Sequence, residues 1–368
     1  MWAGFVAYLG VLVWAPRLGR RTIWGAIVVL LILFACLPPL LSHDVYSYVD
    51  YARLGVLHGL DPYVHPPSSA PADPAFSHVT WTETTSAYGP LFTLLTYPLA
   101  WLPVEAAVYA LKAASAAAVL GIAVLVARLA PVRGVDPTRA AAFVALNPLV
   151  LVHVVGGPHN DSLTVLLMTL GIGGALTARE LTAGAALATA GLTKATAGLI
   201  FPFALLATAK SPPTGLKVGI YATFRPVGRL LLGVAGALAV VGVAGWLGFG
   251  WDWLHAFALA GENQGRTSHM SIPITTARLT GLDPDATRLA FGLLYTVLVA
   301  YLLTWTARGN DWLRASAWAM AGLLIATAWL LPWYLIWALP QAALSRDRPL
   351  QLLLLGLTAY QLGARIPL

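Results

Sequence analysis

Long apolar runs separated by short polar intervals fill most of this 368-residue chain. The runs are continuous, without the alternation of ten-residue barrel strands. A backbone in hydrocarbon must also satisfy its own amides, so helices are the expected spanning elements. The first run, "MWAGFVAYLGVLVWAP", has no charged segment ahead of it and does not read as a signal peptide. It predicts a short span that stops at "RLGRR". Basic residues punctuate the later runs: Arg128, Arg133 and Arg139; Arg179; Lys210, Lys217, Arg225 and Arg229; Arg308 and Arg314; Arg346 and Arg348. Placed together on the cytoplasmic side with Arg17, Arg20 and Arg21, they follow the positive-inside tendency. Each run between clusters then has to leave that side and return. The outward turning points fall near 42–103, 156–162, Lys194, 251–287 and 330–334.

Two stretches, 181–209 and 315–345, are short for two crossings of roughly 20 residues each and predict half-length or tilted helices. "YGPLFTLLTYPLAWLP", at 88–103, has to be re-entrant or surface-lying to keep the parity of crossings. The basic inner interval 209–228 reads as a solvated connector. The fold class is therefore an all-α polytopic membrane protein, with about 10–13 transmembrane or half-length helices and a large first outer loop. With no internal repeat or linker, 1–368 is expected to be a single transmembrane catalytic domain, its outer loops 42–103 and 251–287 forming the site.

Composition sharpens that class. Hydrophobic residues make up 58% and charged residues 10% of the chain, whereas soluble domains carry about 25% charged residues. The net charge of +7 is assigned to membrane orientation, because no basic stretch is interleaved with stacking aromatics as a nucleic-acid surface would require. The sole cysteine, Cys36, excludes an internal disulfide and argues against a cysteine metal site.

The unusual polar residues sit at the outward turning points. Asp44 opens "HDVYSYVDYARLG", whose helical spacing puts Asp44, Ser47 and Tyr48 on one face and Asp50 with Leu54 on another. It is either a solvated acid at a helix start or a general base able to take a proton from an alcohol. In "GGPHNDSL", an Asn or Asp cap for a helix starting at Ser162 accounts for one of His159, Asn160 and Asp161, leaving the others for function. Lys194 stands between apolar flanks and needs an acid, a phosphate or water, unless it snorkels from a hairpin tip. In "GRTSHMSIP", Arg266, Ser268 and His269 have the spacing of a small anion-binding group to which Arg278 can add. Tyr88, in "AYGPL", and Trp333 with Tyr334, in "LLPWYLIW", are interface anchors or walls for a sugar. "LDPY" at 60–63 is a turn, and the "DP" pairs at 136–137 and 283–284 are helix starts rather than metal ligands. A metal site is not supported, since no second histidine stands at ligand spacing from His159.

A base candidate, several cations and aromatics on one membrane face suit displacement of a phosphate leaving group from a lipid-linked donor. Charge-assisted hydrogen bonds to phosphate contribute roughly 1.5–3 kcal/mol each, so two or three cations can replace a divalent ion. The chain carries no P-loop, dinucleotide fingerprint or HExxH, and no cofactor is expected. The ordered segments "SHDVYSYVDYARLGVLHGLDPYVHPP", "YGPL", "GGPHNDSL", "GLTKATAGLIFP", "GRTSHMSIP" and "LLPWYLIWALP" resemble, from about residue 40 to 345, the GT-C membrane glycosyltransferases that use polyprenyl-phosphate sugars. They are most similar to the polyprenol-phosphomannose-dependent α-1,6-mannosyltransferases of actinobacteria. The resemblance implies inverting transfer of a sugar, mannose foremost, to a glycan or glycolipid hydroxyl of the cell envelope, with Asp44 as the catalytic acid residue. It also implies that Lys194, Arg266, His269 and Arg278 hold the donor phosphate. Tyr48, Tyr88, His159, Asn160, Asp161, Ser268, Trp333 and Tyr334 would line the sugar and acceptor sites. The alternative is a polytopic transporter or flippase of a lipid-linked sugar, with Lys194 and Asp44 as pathway charges.

Overall fold

A computed structural model describes residues 1–210, 220–262 and 265–363, and among them every regular element is helical. Lys217 and the rest of 211–219, within the basic connector at 209–228, lie outside the described residues. Helices α1 (Trp2–Leu18) and α2 (Arg20–Cys36) form a hairpin. A short extended passage then leads to α3 (Asp44–Leu57). The long loop after α3 continues through single turns to α4 (Pro90–Thr96) and a 3-10 segment, Tyr97–Trp101. Seven residues of helix span about 10 Å, far short of a bilayer core. The Arg53 guanidinium of α3 donates to the Ala100 carbonyl at 3.0 Å, which holds this piece along α3 rather than across a membrane.

Three helices are long and apolar enough to cross: Val104–Arg133, which contains α5 (Val104–Leu129); Arg225–Phe249 within α10 (Ile220–Phe249); and α13 (Pro284–Ala307). A bent pair of helices is apolar and long enough only when its two parts are taken together. In it α6 (Pro137–Ala145) meets the π-helical segment Val150–Gly156 at 62°. The others are shorter: α7 (Asp161–Leu176), α8 (Glu180–Thr193), a 3-10 turn Ala195–Ile200 running into α9 (Phe201–Lys210), and α14 (Trp312–Ala326). The stretches expected to hold half-length helices hold them. Small residues let α8 lie directly on α10: a side chain at Gly184 would strike the Leu230 carbonyl, and one at Gly233 the Leu181 carbonyl. After α11 (His255–Glu262) and α12 (Ile272–Thr280), the chain closes through α14, a 3-10 segment Pro332–Trp337, α15 (Leu339–Leu344) and α16 (Arg348–Gly363).

The aspartate–proline pairs at 136–137 and 283–284 are helix starts. Asp136 accepts from the Arg139 amide at 2.6 Å, and Asp283 from the Ala286 amide at 2.8 Å. Asp61 folds back onto the Tyr63 amide as a turn residue. One end of the bundle is stitched by basic residues: Arg133 pairs with Asp311 and donates to the Leu344 carbonyl, while Arg314 pairs with Asp347 at 2.5 Å. The loops joining α5 to α6, α13 to α14 and α15 to α16 therefore share that end. At the other end, the C-termini of α8 and α14, the N-termini of α3 and α7 and the π-helical segment converge on a cavity.

Candidate functional site

The passage before α3 is pinned to the π-helical segment. The Leu40 amide donates to the Gly156 carbonyl at 3.0 Å, and a side chain at Gly157 would collide with the Leu40 carbonyl. Glycine is required there because two backbones touch. The π segment is held from behind by α5. Ser115 Oγ donates to the Val154 carbonyl at 2.6 Å, and the fully buried Lys112 ammonium donates to the carbonyls of Val155 and Gly156. A buried lysine without a carboxylate thus satisfies carbonyls that the wide π turn leaves open.

This scaffold brings Asp44 against His159. His159 Nδ1 lies 2.6 Å from the His153 carbonyl, and Nε2 lies 3.4 Å from Asp44 Oδ2. A carbonyl only accepts, so Nδ1 carries its hydrogen. The Nε2 contact is then attractive only when a proton resides between the two groups. The imidazole stacks on Trp333 with ring centroids 3.7 Å apart. Trp81 Nε1 donates to Asp44 Oδ1 at 3.2 Å. Burial alone would raise the Asp44 carboxyl. The contact with His159 and its charge, the Trp81 N–H and the charge of Lys194 outweigh that and hold it below the usual carboxylate range. The Tyr48 and Tyr88 phenols are pushed well above their ordinary value by burial, reinforced by acidic neighbours, and remain neutral donors.

A second acid–base pair faces the first. Lys194, at the end of α8, donates to Asp161 Oδ1 at 2.7 Å, and Trp337 Nε1 donates to the same oxygen at 2.5 Å. The ammonium sits 4.9 Å from the Tyr334 ring centroid and 5.0 Å from that of Trp337, two rings stacked on each other at 4.1 Å. Across the cavity, the Arg266 guanidinium lies 4.8 Å from the Trp81 ring centroid. The enclosed volume is about 370 Å³, within the range of small-ligand sites. Among the described residues no three histidine, cysteine or acidic side chains are grouped to hold a metal ion.

Asp44, Tyr48, Tyr88, His159, Asn160, Asp161, Lys194, Arg266, Trp333 and Tyr334 all line this cavity, joined by Ser47 from the face predicted for Asp44. Ser268, His269 and Arg278 do not. The Ser268 amide donates to the Ala328 carbonyl, so that residue anchors the Arg266 loop to the end of α14. His269 is exposed, and its carbonyl accepts from Thr275. Arg278 is exposed in the last turn of α12, where a cation complements the helix end. These three differ from the expected anion-binding group because "SIPITTARLT" is helical from Ile272, which carries Arg278 away from the loop.

The capping expectation holds in position, with Asn160 at the N-cap, but not in hydrogen bonding. The helix begins at Asp161, one residue early, and neither Asn160 nor Asp161 caps it through its side chain. Among the described residues, both amide atoms of Asn160 and Asp161 Oδ2 are buried without a hydrogen-bond partner. Sequence reasoning missed Trp81, Trp337 and Lys112. Lys112 carried the signal that singled out Lys194, a cation deep in an apolar run. Trp337 stood in a motif already quoted, whereas Trp81 had no distinguishing signal.

The comparisons with known proteins come from the same residues. Residues 1–210 match the family model described as "Alpha-(1->6)-mannopyranosyltransferase, N-terminal domain". The chain is 31% identical over 332 residues to alpha-(1->6)-mannopyranosyltransferase A of Mycobacterium tuberculosis, covering 83% of this chain and 61% of the relative. It is also 31% identical over 359 residues to a probable alpha-(1->6)-mannopyranosyltransferase of Mycolicibacterium smegmatis, covering 85% and 63%. The chain thus spans about three fifths of the length of these relatives. No solved structure matches it. An all-helical bundle with membrane-length spans, matched by that family model over more than half its residues, belongs to the α-(1→6)-mannopyranosyltransferase family of GT-C membrane proteins.

Proposed function

We infer that this protein transfers a mannosyl residue from a polyprenyl-phosphate carrier to a hydroxyl of a glycan or glycolipid, with inversion at the sugar carbon. The observation that carries the reading is the convergence of Asp44, Lys194 and Arg266 on one aromatic-walled cavity. Asp44 is the general base: the acceptor O–H bond breaks and its proton passes to the carboxylate. The freed oxygen forms a bond to C1 of the sugar. The C1–O bond to phosphate breaks, and its electron pair leaves with the phosphate.

Lys194 has three N–H donors, of which Asp161 takes one, so its remaining donors and the Arg266 fork are free to meet the charge growing on the leaving phosphate. Trp333 and Tyr334 supply a face for the sugar ring, and the unpartnered Asn160 amide supplies donors and acceptors for its hydroxyls. His159, with Nε2 3.4 Å from Asp44 Oδ2, orients the base. The basic clusters at the far end of the bundle support a cavity that opens away from the cytoplasm.

The test is direct. Purified protein given radiolabelled polyprenyl-phosphate mannose and an oligomannoside is expected to yield labelled glycan with an α linkage. Label that crosses vesicles without forming a glycosidic bond would replace this reading with transport.

A further inference from the structure

A second cavity, of about 930 Å³, lies between α2, α5 and α6 and is lined by Arg20, Arg21, Arg128, Trp24 and Thr138 together with short apolar side chains of α5. Among the described residues, none of the three arginines takes part in an ion pair. Asp136, next to the lining residue Pro137, caps α6. The three arginines, all exposed, thus line one concavity that no acidic side chain lines. Such a group is stable when it meets an anion from outside, and its planar forks match phosphate oxygens.

The cavity's position identifies the anion's surroundings. Arg20 is the first residue of α2, and the passage beyond its last residue, Cys36, leads to Asp44. Arg128 lies in the last turn of α5, which runs from the outer loop. Seventeen residues of α2 rise about 25 Å, so the arginine cavity and the Asp44 cavity sit at opposite faces of the bundle. A free phosphate would need only the arginines. The surface beside them extends further: Arg20, Trp24, Val28 and Ile32 follow at four-residue spacing along one ridge of α2. Trp24 is half-buried, while Val28 and Ile32 are 38% and 58% exposed. A cation, an interfacial ring and then exposed aliphatic side chains make, in order, the imprint of a charged head group, a glycerol region and an acyl chain.

We propose that this cavity is a binding site for the phosphate head group of an anionic phospholipid, seated in the leaflet opposite the Asp44 cavity. The site is independent of the reaction assigned to Asp44.

Native mass spectrometry of the purified full chain tests it, with phosphatidylglycerol, phosphatidylcholine of the same acyl chains, and inorganic phosphate offered separately. Phosphatidylglycerol is expected to bind at least about tenfold more tightly than phosphatidylcholine. The combined variant Arg20→Gln, Arg21→Gln, Arg128→Gln is expected to remove that preference while retaining the melting temperature. Should the triple variant fail to fold, Arg128→Gln alone is expected to weaken phosphatidylglycerol binding about threefold or more. Equal binding of the two lipids, an unchanged preference in the variants, or displacement of phosphatidylglycerol by millimolar inorganic phosphate would each overturn the proposal.

Discussion

Two acid–base pairs face each other across the cavity, and they are built differently. Asp161 is sealed: its side chain is 1% exposed, Lys194 lies 2.7 Å away, and the Trp337 indole donates to the same oxygen. Asp44 is left open. Its side chain is 21% exposed, its histidine partner stands 3.4 Å off, and the Trp81 indole approaches at 3.2 Å. In the Asp161 pair the exposed member is the base, Lys194 at 21%, so it is loss of Lys194 that would strand the buried Asp161 carboxylate in a low-dielectric site. An open pair keeps a carboxylate charged yet within reach of a substrate proton. In the proposed reaction this difference would give Asp161 the task of positioning Lys194 and Asp44 that of exchanging protons.

Breaking the open pair is expected to have the largest effect. Asp44→Asn should lower transfer by about 10³-fold, within the range for a lost general base, and leave the melting curve unchanged. Measurable activity within tenfold of the parent would remove Asp44 from that role. The closed pair should respond the other way. Lys194→Met strands the Asp161 carboxylate, which is 1% exposed, and is expected to cost about 3 kcal/mol of stability, seen as a lowered melting temperature in detergent. If the variant melts like the parent, the pair is not sealed as described.

His159→Gln sharpens the contrast further. The His159 contact and charge are the foremost influences lowering the Asp44 carboxyl against the burial that raises it. Their loss should raise that pKa, so the acid limb of the rate profile is expected to move to higher pH. An unmoved limb would show that His159 only packs against Trp333.

The smallest effect is expected at Asp50, on the face of α3 turned away from the cavity. Both of its carboxylate oxygens are buried without a hydrogen-bond partner among the described residues, and burial, then the charge of Asp73, pushes it up to about 7. A raised folded value means its contribution is fully present below the ordinary carboxylate pKa and is lost as pH rises through about 7. Asp50→Asn should therefore narrow the difference in melting temperature between pH 5.5 and pH 8 by roughly 2–4 °C.

Much of this site was legible without coordinates, because charge in an apolar chain is conspicuous: Asp44, Lys194 and Arg266 stood out by their surroundings. Helical spacing alone placed Ser47 and Tyr48 beside Asp44, and the structure keeps them there. The expectation for Ser268, His269 and Arg278 went astray because proximity in sequence was read as proximity of side chains. A helix beginning at Ile272 separates them. Likewise, nothing local marks Trp81, whose indole reaches Asp44 from 37 residues away.

The chain's apolar runs and clustered arginines determine by themselves an all-helical membrane bundle and which turns share an end. Both follow from the cost of exposing backbone amides and charges to hydrocarbon, a property of local composition. Only the tertiary structure decides which acid is paired with which base. The Asp161–Lys194 and Asp44–His159 contacts span 33 and 115 positions of sequence, and their distances are set by the packing of separate helices. The broken π segment, held by Lys112, sets the position of His159 against Asp44. No periodicity in the sequence encodes that break, because the side chains that bond its carbonyls come from elsewhere: Lys112 on α5 meets the Val155 carbonyl and His159 the His153 carbonyl.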